Sequence, residues 1–228
     1  MQKTNISWAD YVWNPACGCK HNCNFKGGKC YAERMNNRFH WIKNWNEPQV
    51  FIERLSEPYK FNKWENRGKK VFVCSISDLF GSWVPADFIE QVIKTAATCH
   101  YLEFMFLTKN PSRYLEFKFS DNCWIGATVT NGKQVTDRLI KIFEDTLFNS
   151  HGGAKCFLSI EPLMGSFEGS KIEDCYFDKL IVGGLTGAGA DKINRSLDLK
   201  AWTEYIQSVH QDVHIKENLK NYIYGTGR

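Results

Sequence analysis

Four of the nine cysteines fall within fourteen residues, from Cys17 through Cys19 and Cys23 to Cys30, in a glycine- and lysine-rich stretch just after Trp13-Asn14-Pro15. A cysteine kept only for packing serves equally well anywhere in a core. Four in one loop instead imply thiolates converging on a metal ion or an iron–sulfur cluster. Which of these it is decides whether the chain is an enzyme.

The rest of the composition sets the frame. The 228 residues suit one compact domain, and 43% are hydrophobic and 24% charged, as in soluble globular proteins. Sixteen Phe and eight Trp can fill a large core. No apolar run approaches the ~20 residues that span a bilayer, and residues 1–5 lack a signal-peptide segment. The expectation is a cytoplasmic protein without membrane contact, in a reducing compartment where free thiols and metal thiolates persist. A net charge of +4 permits nucleic-acid binding without arguing for it.

Short apolar runs alternate with longer amphipathic stretches. Segments 71–75, 104–107, 123–129, 155–160, 180–182 and 213–215 read as buried strands, and a further strand is expected around 10–13. Helical spacing covers 85–100, with Phe88, Ile89, Val92, Ile93, Ala96 and Ala97 on one face and Pro85 suited to a first turn. It returns over 133–148 and 197–210, and a short helix is expected at 112–117. Continuous apolar strands separated by helices imply a parallel sheet covered by helices. Six or seven strands suit an open or partial (β/α) barrel rather than an eightfold one, which takes ~250 residues. The Gly183-Gly184 turn lacks the Gly-x-Gly-x-x-Gly pattern of a dinucleotide fold.

Polar residues collect at one place in this scheme. Ser75, Ser77 and Asp78, then Thr108 and Lys109, Thr128 and Thr130, Glu161 and Thr186 all fall at C-terminal strand ends. Polarity begins wherever a strand stops, but so many arrivals at one edge mark the rim on which barrels build active sites.

Cys19-x3-Cys23 has the first gap of the radical S-adenosylmethionine motif, Cys-x3-Cys-x2-Cys, whereas six residues separate Cys23 from Cys30. Gly27-Gly28 can fold that insertion into a tight excursion. Five further segments accompany it in order: Cys30-Tyr31-Ala32-Glu33-Arg34-Met35, Val73-Cys74-Ser75-Ile76-Ser77-Asp78-Leu79-Phe80, Phe106-Leu107-Thr108-Lys109-Asn110-Pro111, Ser159-Ile160-Glu161-Pro162-Leu163 and Ile215-Lys216-Glu217-Asn218, with Trp13-Asn14-Pro15 and Gly18-Cys19 ahead of them. With these the chain resembles, from about residue 5 to 218, the compact phage-associated three-cysteine proteins. That family is similar to the radical S-adenosylmethionine superfamily, to which spore photoproduct lyase belongs.

The resemblance implies one α/β domain over 1–228, a partial (β/α)6 barrel of radical S-adenosylmethionine type with mostly parallel strands and a cluster loop at 16–31. It implies a 4Fe–4S cluster on Cys19, Cys23 and Cys30, S-adenosylmethionine as cofactor and an external electron donor. The activity implied is reductive cleavage of S-adenosylmethionine to a 5′-deoxyadenosyl radical that abstracts hydrogen from a substrate, for which a nucleic acid or nucleotide is the candidate class. Gly18-Cys19 matches the family, so Cys17 is taken as the bystander, with replacement of Cys19 by Cys17 as the alternative. By analogy, Ser75, Ser77 and Asp78 lie near the amino group of the cofactor. Thr108 and Lys109 reach its carboxylate or the substrate, Glu161 the ribose, and Tyr31 flanks the adenine. Lys109 and Glu161 could instead pair with each other.

A zinc-binding protein without catalysis is the competing reading, with Cys17 or His21 as fourth ligand, and a barrel that binds without turnover is a third. Cys74, Cys99, Cys123, Cys156 and Cys175 read as small core residues. His40, His100, His151 and His210 have no partner spacing, and His214 sits in an apolar strand. The run Arg34 to Trp45 mixes aromatics with cations as single-strand binders do, but reads first as an amphipathic helix with its aromatics turned inward. Trp64 with Lys60, Lys63, Arg67, Lys69 and Lys70 reads as a solvated basic loop.

Overall fold

The computed structural model describes residues 1–25, 28–150 and 153–225. Gly27 and His151 lie outside them. Eight strands form one sheet in chain order: β1 (Gln2–Lys3), β2 (Tyr11–Trp13), β3 (Lys69–Val73), β4 (Leu102–Thr108), β5 (Cys123–Val129), β6 (Lys155–Ile160), β7 (Lys179–Val182) and β8 (Val213–Ile215). β1 is antiparallel to β2, and β2 to β8 all run parallel. Sequential parallel neighbours require crossover connections. Helices supply several of them: α1 (Tyr31–Phe39) between β2 and β3, α2 (Ala86–Thr98) between β3 and β4, and α3 (Asp137–Asn149) between β5 and β6. α4 (Ala190–Arg195) and α5 (Leu199–Val209) connect β7 to β8, and α6 (Glu217–Ile223) follows. The result is an α/β fold with a mostly parallel sheet, consistent with a partial barrel. No helix among the described residues is long and apolar enough to cross a membrane.

The strands read as unbroken apolar runs because both faces are covered. Alternate residues point to opposite faces, and two clusters result. On the outer face Val71, Phe104, Ile125, Leu158 and Leu180 pack with Phe88 and Val92 of α2, Phe143 of α3 and Ile206 of α5. On the inner face Trp8 closes over Met105, Trp124, Phe157 and Ile181. The inner plug depends on Gly126, where a Cβ would lie 2.4 Å from the Phe157 ring. The buried Tyr114 hydroxyl then ties β4 to β5, within 3.1 Å of the Phe106 carbonyl and 2.9 Å of the Gly126 carbonyl.

Helix starts follow their sequence signals. Pro85 sits just before α2, and the Thr136 hydroxyl caps α3 by accepting from the Leu139 N–H. β3 stops two residues before the expected end because Cys74 takes a left-handed φ of 58° and turns the chain, which places Ser75 in the loop. Residues 34–45 depart further from expectation. α1 ends at Phe39, and His40 closes it at φ 52°, its N–H donating to the Asn36 carbonyl. The Asn36 side chain binds both the N–H and the C=O of Ile42, which folds the segment back on itself. Ile42 and Trp45 are buried by this turn, whereas Phe39 and Trp41 face solvent.

Candidate metal and cofactor site

The cysteine loop leaves β2 and is fastened to the loop that leaves β3. Ala16–Cys17 pairs antiparallel with Gln49–Val50, the Gly18 N–H donates to the Ile76 carbonyl, and the Ser77 hydroxyl donates to the Gly18 carbonyl at 2.7 Å. Gly18 is required here. Its φ is 92°, and a Cβ would meet Ile42 Cδ1 at 2.7 Å and the Trp45 carbonyl at 2.8 Å. Both loops therefore lie at the C-terminal ends of the parallel strands.

The four thiols of the loop have different surroundings. Cys17 is wholly buried with Ile42, Trp45 and Ile76, and burial pushes its thiol up to about 11. Cys19, Cys23 and Cys30 are partly exposed, Cys19 and Cys30 at the edge of that cluster. Burial drives Cys19 up to about 12, with the charges of Asp78, Cys23 and Cys30 adding to it and the His21 N–H opposing. Cys23 is raised by burial as well, opposed by Lys109 and reinforced by Cys30 and Asp78. Both Cys19 and Cys23 thus feel Cys30 and Asp78. Among the described residues no three His, Cys, Asp or Glu side chains are drawn together tightly enough to enclose a metal ion.

Asp78 organises this end of the barrel. Its Oδ2 lies 2.7 Å from His21 Nε2 and accepts from the Thr108 hydroxyl at 3.0 Å and the Lys109 N–H at 2.9 Å. Its Oδ1 accepts from the Phe80 N–H at 3.0 Å. One buried carboxylate therefore joins the cysteine loop, its own loop and the end of β4. His21 also packs edge-on against Trp83. Ser75 donates to Asn14 Oδ1.

Glu161, beyond β6, is paired with Lys216, beyond β8, and not with Lys109. Two strand ends on either side of β7 can meet because Gly183 lies between them. A Cβ at Gly183 would sit 3.0 Å from Lys216 Cδ and 3.1 Å from Glu161 Cδ. Lys109 is exposed and forms no ion pair among the described residues. Tyr31, the first residue of α1, is exposed.

Three buried polar atoms near this mouth lack a hydrogen-bond partner among the described residues: Arg34 Nε, Trp83 Nε1 and Asn218 Oδ1. Arg34 leans on Gly187 in the loop after β7, where a Cβ would come within 2.8 Å of its Nη1. Asn218 is tied to the Gly184 carbonyl through Nδ2. The pattern of polar strand ends missed Arg34 and Asn218 because one lies on a helix and the other past the last strand. Both nonetheless stand inside segments that carry the family resemblance, Cys30 to Met35 and Ile215 to Asn218.

The fold is consistent with a partial barrel of radical S-adenosylmethionine type. A spore photoproduct lyase variant with bound AdoMet and dinucleoside spore photoproduct superposes with a TM-score of 0.62 at 13% identity, over 94% of this chain and 78% of that one. A second variant of the lyase gives a TM-score of 0.50 at 12% identity, over 99% of this chain and 63% of that one. At such identities the likeness is one of fold. The chain itself belongs to the family described as "Protein of unknown function (DUF5131)", whose model matches residues 3–222. A comparison with curated proteins gave no match.

Proposed function

We propose that residues 1–228 form one radical S-adenosylmethionine enzyme domain, with Cys19, Cys23 and Cys30 holding a 4Fe–4S cluster. One observation carries the reading: three partly exposed thiols stand on the first loop at the C-terminal mouth of such a barrel, fastened there to the loop after β3. Three soft thiolates fit a cluster that keeps one iron open. Loading must displace the thiol protons that burial holds on Cys19 and Cys23, and Lys109 offsets part of the negative charge left on Cys23. The full burial of Cys17 in an apolar cluster supports its role as bystander and weighs against a closed four-thiolate zinc site.

When bound, the cluster and S-adenosylmethionine supply one-electron cleavage of a sulfonium and removal of a hydrogen atom from substrate. The chain supplies position. Asp78, saturated by four donors, fixes the cysteine loop against β4 and acts as a positioning residue. Ser75 and Ser77 stand in the loop beside it, where their oxygens would accept from the amino group of the cofactor. Thr108 is committed to Asp78, which leaves Lys109 as the cation for a carboxylate or a substrate phosphate. Glu161, with one oxygen held by Lys216, keeps its second oxygen for a ribose hydroxyl. Tyr31 stands beside Cys30 where an adenine ring would stack. The unpartnered Arg34 Nε and Asn218 Oδ1 are further groups that a polar ligand would satisfy.

The fold neighbour's dinucleoside makes a nucleotide or nucleic acid the substrate class to try first. The test is S-adenosylmethionine cleavage by anaerobically reconstituted protein under a strong reductant. Formation of 5′-deoxyadenosine is expected. Iron-loaded protein that forms none would contradict the catalytic reading and leave a barrel that binds without turnover.

A further inference from the structure

The segment after α1 carries two exposed aromatic rings that the fold does not use. Phe39 and Trp41 are 50% and 41% exposed, and their rings lie nearly parallel, 5.6 Å apart at 20°. The Arg38 guanidinium sits 5.3 Å from the Phe39 centroid. Aromatic pairs formed inside a core are buried; this pair stays about half exposed.

Its support is rigid. The His40 N–H closes α1 on the Asn36 carbonyl at 2.7 Å, and the Asn36 side chain holds both backbone groups of Ile42. Ile42 and Trp45 anchor the turn in the cluster that also buries Cys17. The rings are therefore presented by a fixed turn.

The segment that carries them is basic, between Glu33 and Glu47. From Arg34 to Asn46 the chain carries Arg34, Arg38 and Lys43 and no carboxylate. Interleaved cations and stacking rings suit a sugar-phosphate strand with unpaired bases, because every base offers a π-face and every linkage a negative charge. A protein interface would share the aromatics and Arg but is depleted in Lys, and Lys43 stands two residues from Trp41. α1 spans nine residues, about 13 Å at 1.5 Å per residue, and its other end is Tyr31 beside Cys30.

We infer that Phe39 and Trp41, with Arg38 and Lys43, form a docking platform for single-stranded nucleic acid that leads along α1 to the cysteine mouth. The inference gives the site proposed above a substrate class and rests on that reading for its purpose, though not for its test.

The test is fluorescence anisotropy on the protein as purified, with a short fluorescein-labelled single-stranded DNA, an RNA of the same sequence and the matching DNA duplex. Salt-sensitive binding of at least one single strand, in preference to the duplex, is expected. Phe39→Ala/Trp41→Ala should weaken it about tenfold to a hundredfold, the loss that follows removal of base stacking. Trp41→Phe should restore most of it in an otherwise wild-type chain. Arg38→Gln/Lys43→Gln should reduce the salt slope by about one unit per cation removed. These side chains are exposed, and unchanged thermal melting would verify that the variants fold. Equal binding by wild type and the double alanine variant, equal preference for duplex, no binding at all, or ring-dependent self-association in place of binding would each overturn the inference. Neither reductant nor S-adenosylmethionine enters the assay, so docking can fail while cofactor cleavage stands, and the reverse.

Discussion

Cys19→Ala, Cys23→Ala and Cys30→Ala are each expected to abolish retention of a cluster after anaerobic reconstitution, whereas Cys17→Ala keeps it. The contrast follows from where the four thiols lie. Cys17 is 0% exposed and belongs to a short β-pair and an apolar cluster, so replacing it removes packing and costs about 1 kcal/mol. The other three are partly exposed on the loop at the C-terminal ends of the strands, where a ligand can reach them. With only three ligands proposed, loss of any one leaves two thiolates for three irons. Iron determination on the four variants checks this. Iron lost from Cys17→Ala but kept by Cys19→Ala would reverse the assignment.

Asp78→Ala should destabilise the fold by about 3–5 kcal/mol, read as a shift in the urea midpoint. The carboxylate is buried, and its removal strands the Phe80 and Lys109 N–H groups, the Thr108 hydroxyl and the His21 ring nitrogen. Each stranded buried group costs about 1–3 kcal/mol, and water entering from the mouth recovers part of the sum. Asp78→Asn should cost less, because the His21 ring and the Thr108 oxygen can accept from the new amide and only the Lys109 N–H is opposed. A change within ~0.5 kcal/mol in the alanine variant, typical of an unremarkable surface position, would contradict the organising role given to Asp78.

The elements legible in the sequence are those whose signal is local. β5 and β6 occupy the expected 123–129 and 155–160 because strands covered on both faces read as continuous apolar runs. α2 and α3 announced themselves by periodicity and α2 also by Pro85, whereas the Thr136 cap that starts α3 at Asp137 rather than 133 went unread. The end of α1 did not, since it depends on the Asn36 side chain capturing the backbone of Ile42, a bond that competes with helix and has no periodic trace. The aromatics of that segment were accordingly expected inside, and Phe39 and Trp41 proved to be outside.

The rim was legible as a set and not as pairs. Strand-end position gathered Ser75, Ser77, Asp78, Thr108, Lys109 and Glu161 correctly at one end of the sheet. Partners were a different matter. Glu161 joins Lys216, 55 residues away, over a glycine whose importance appears only when β6, β7 and β8 are aligned. His21, considered as a zinc ligand from its place among the cysteines, has its Nε2 bonded to Asp78, 57 residues away.

The central claim is that the crowded thiols hold an iron–sulfur cluster. Metal analysis of the wild-type chain after anaerobic purification and reconstitution tests it most directly. A brown protein with about four irons per chain, and sulfide to match, is the expected result. A colourless protein carrying stoichiometric zinc and no iron would contradict it.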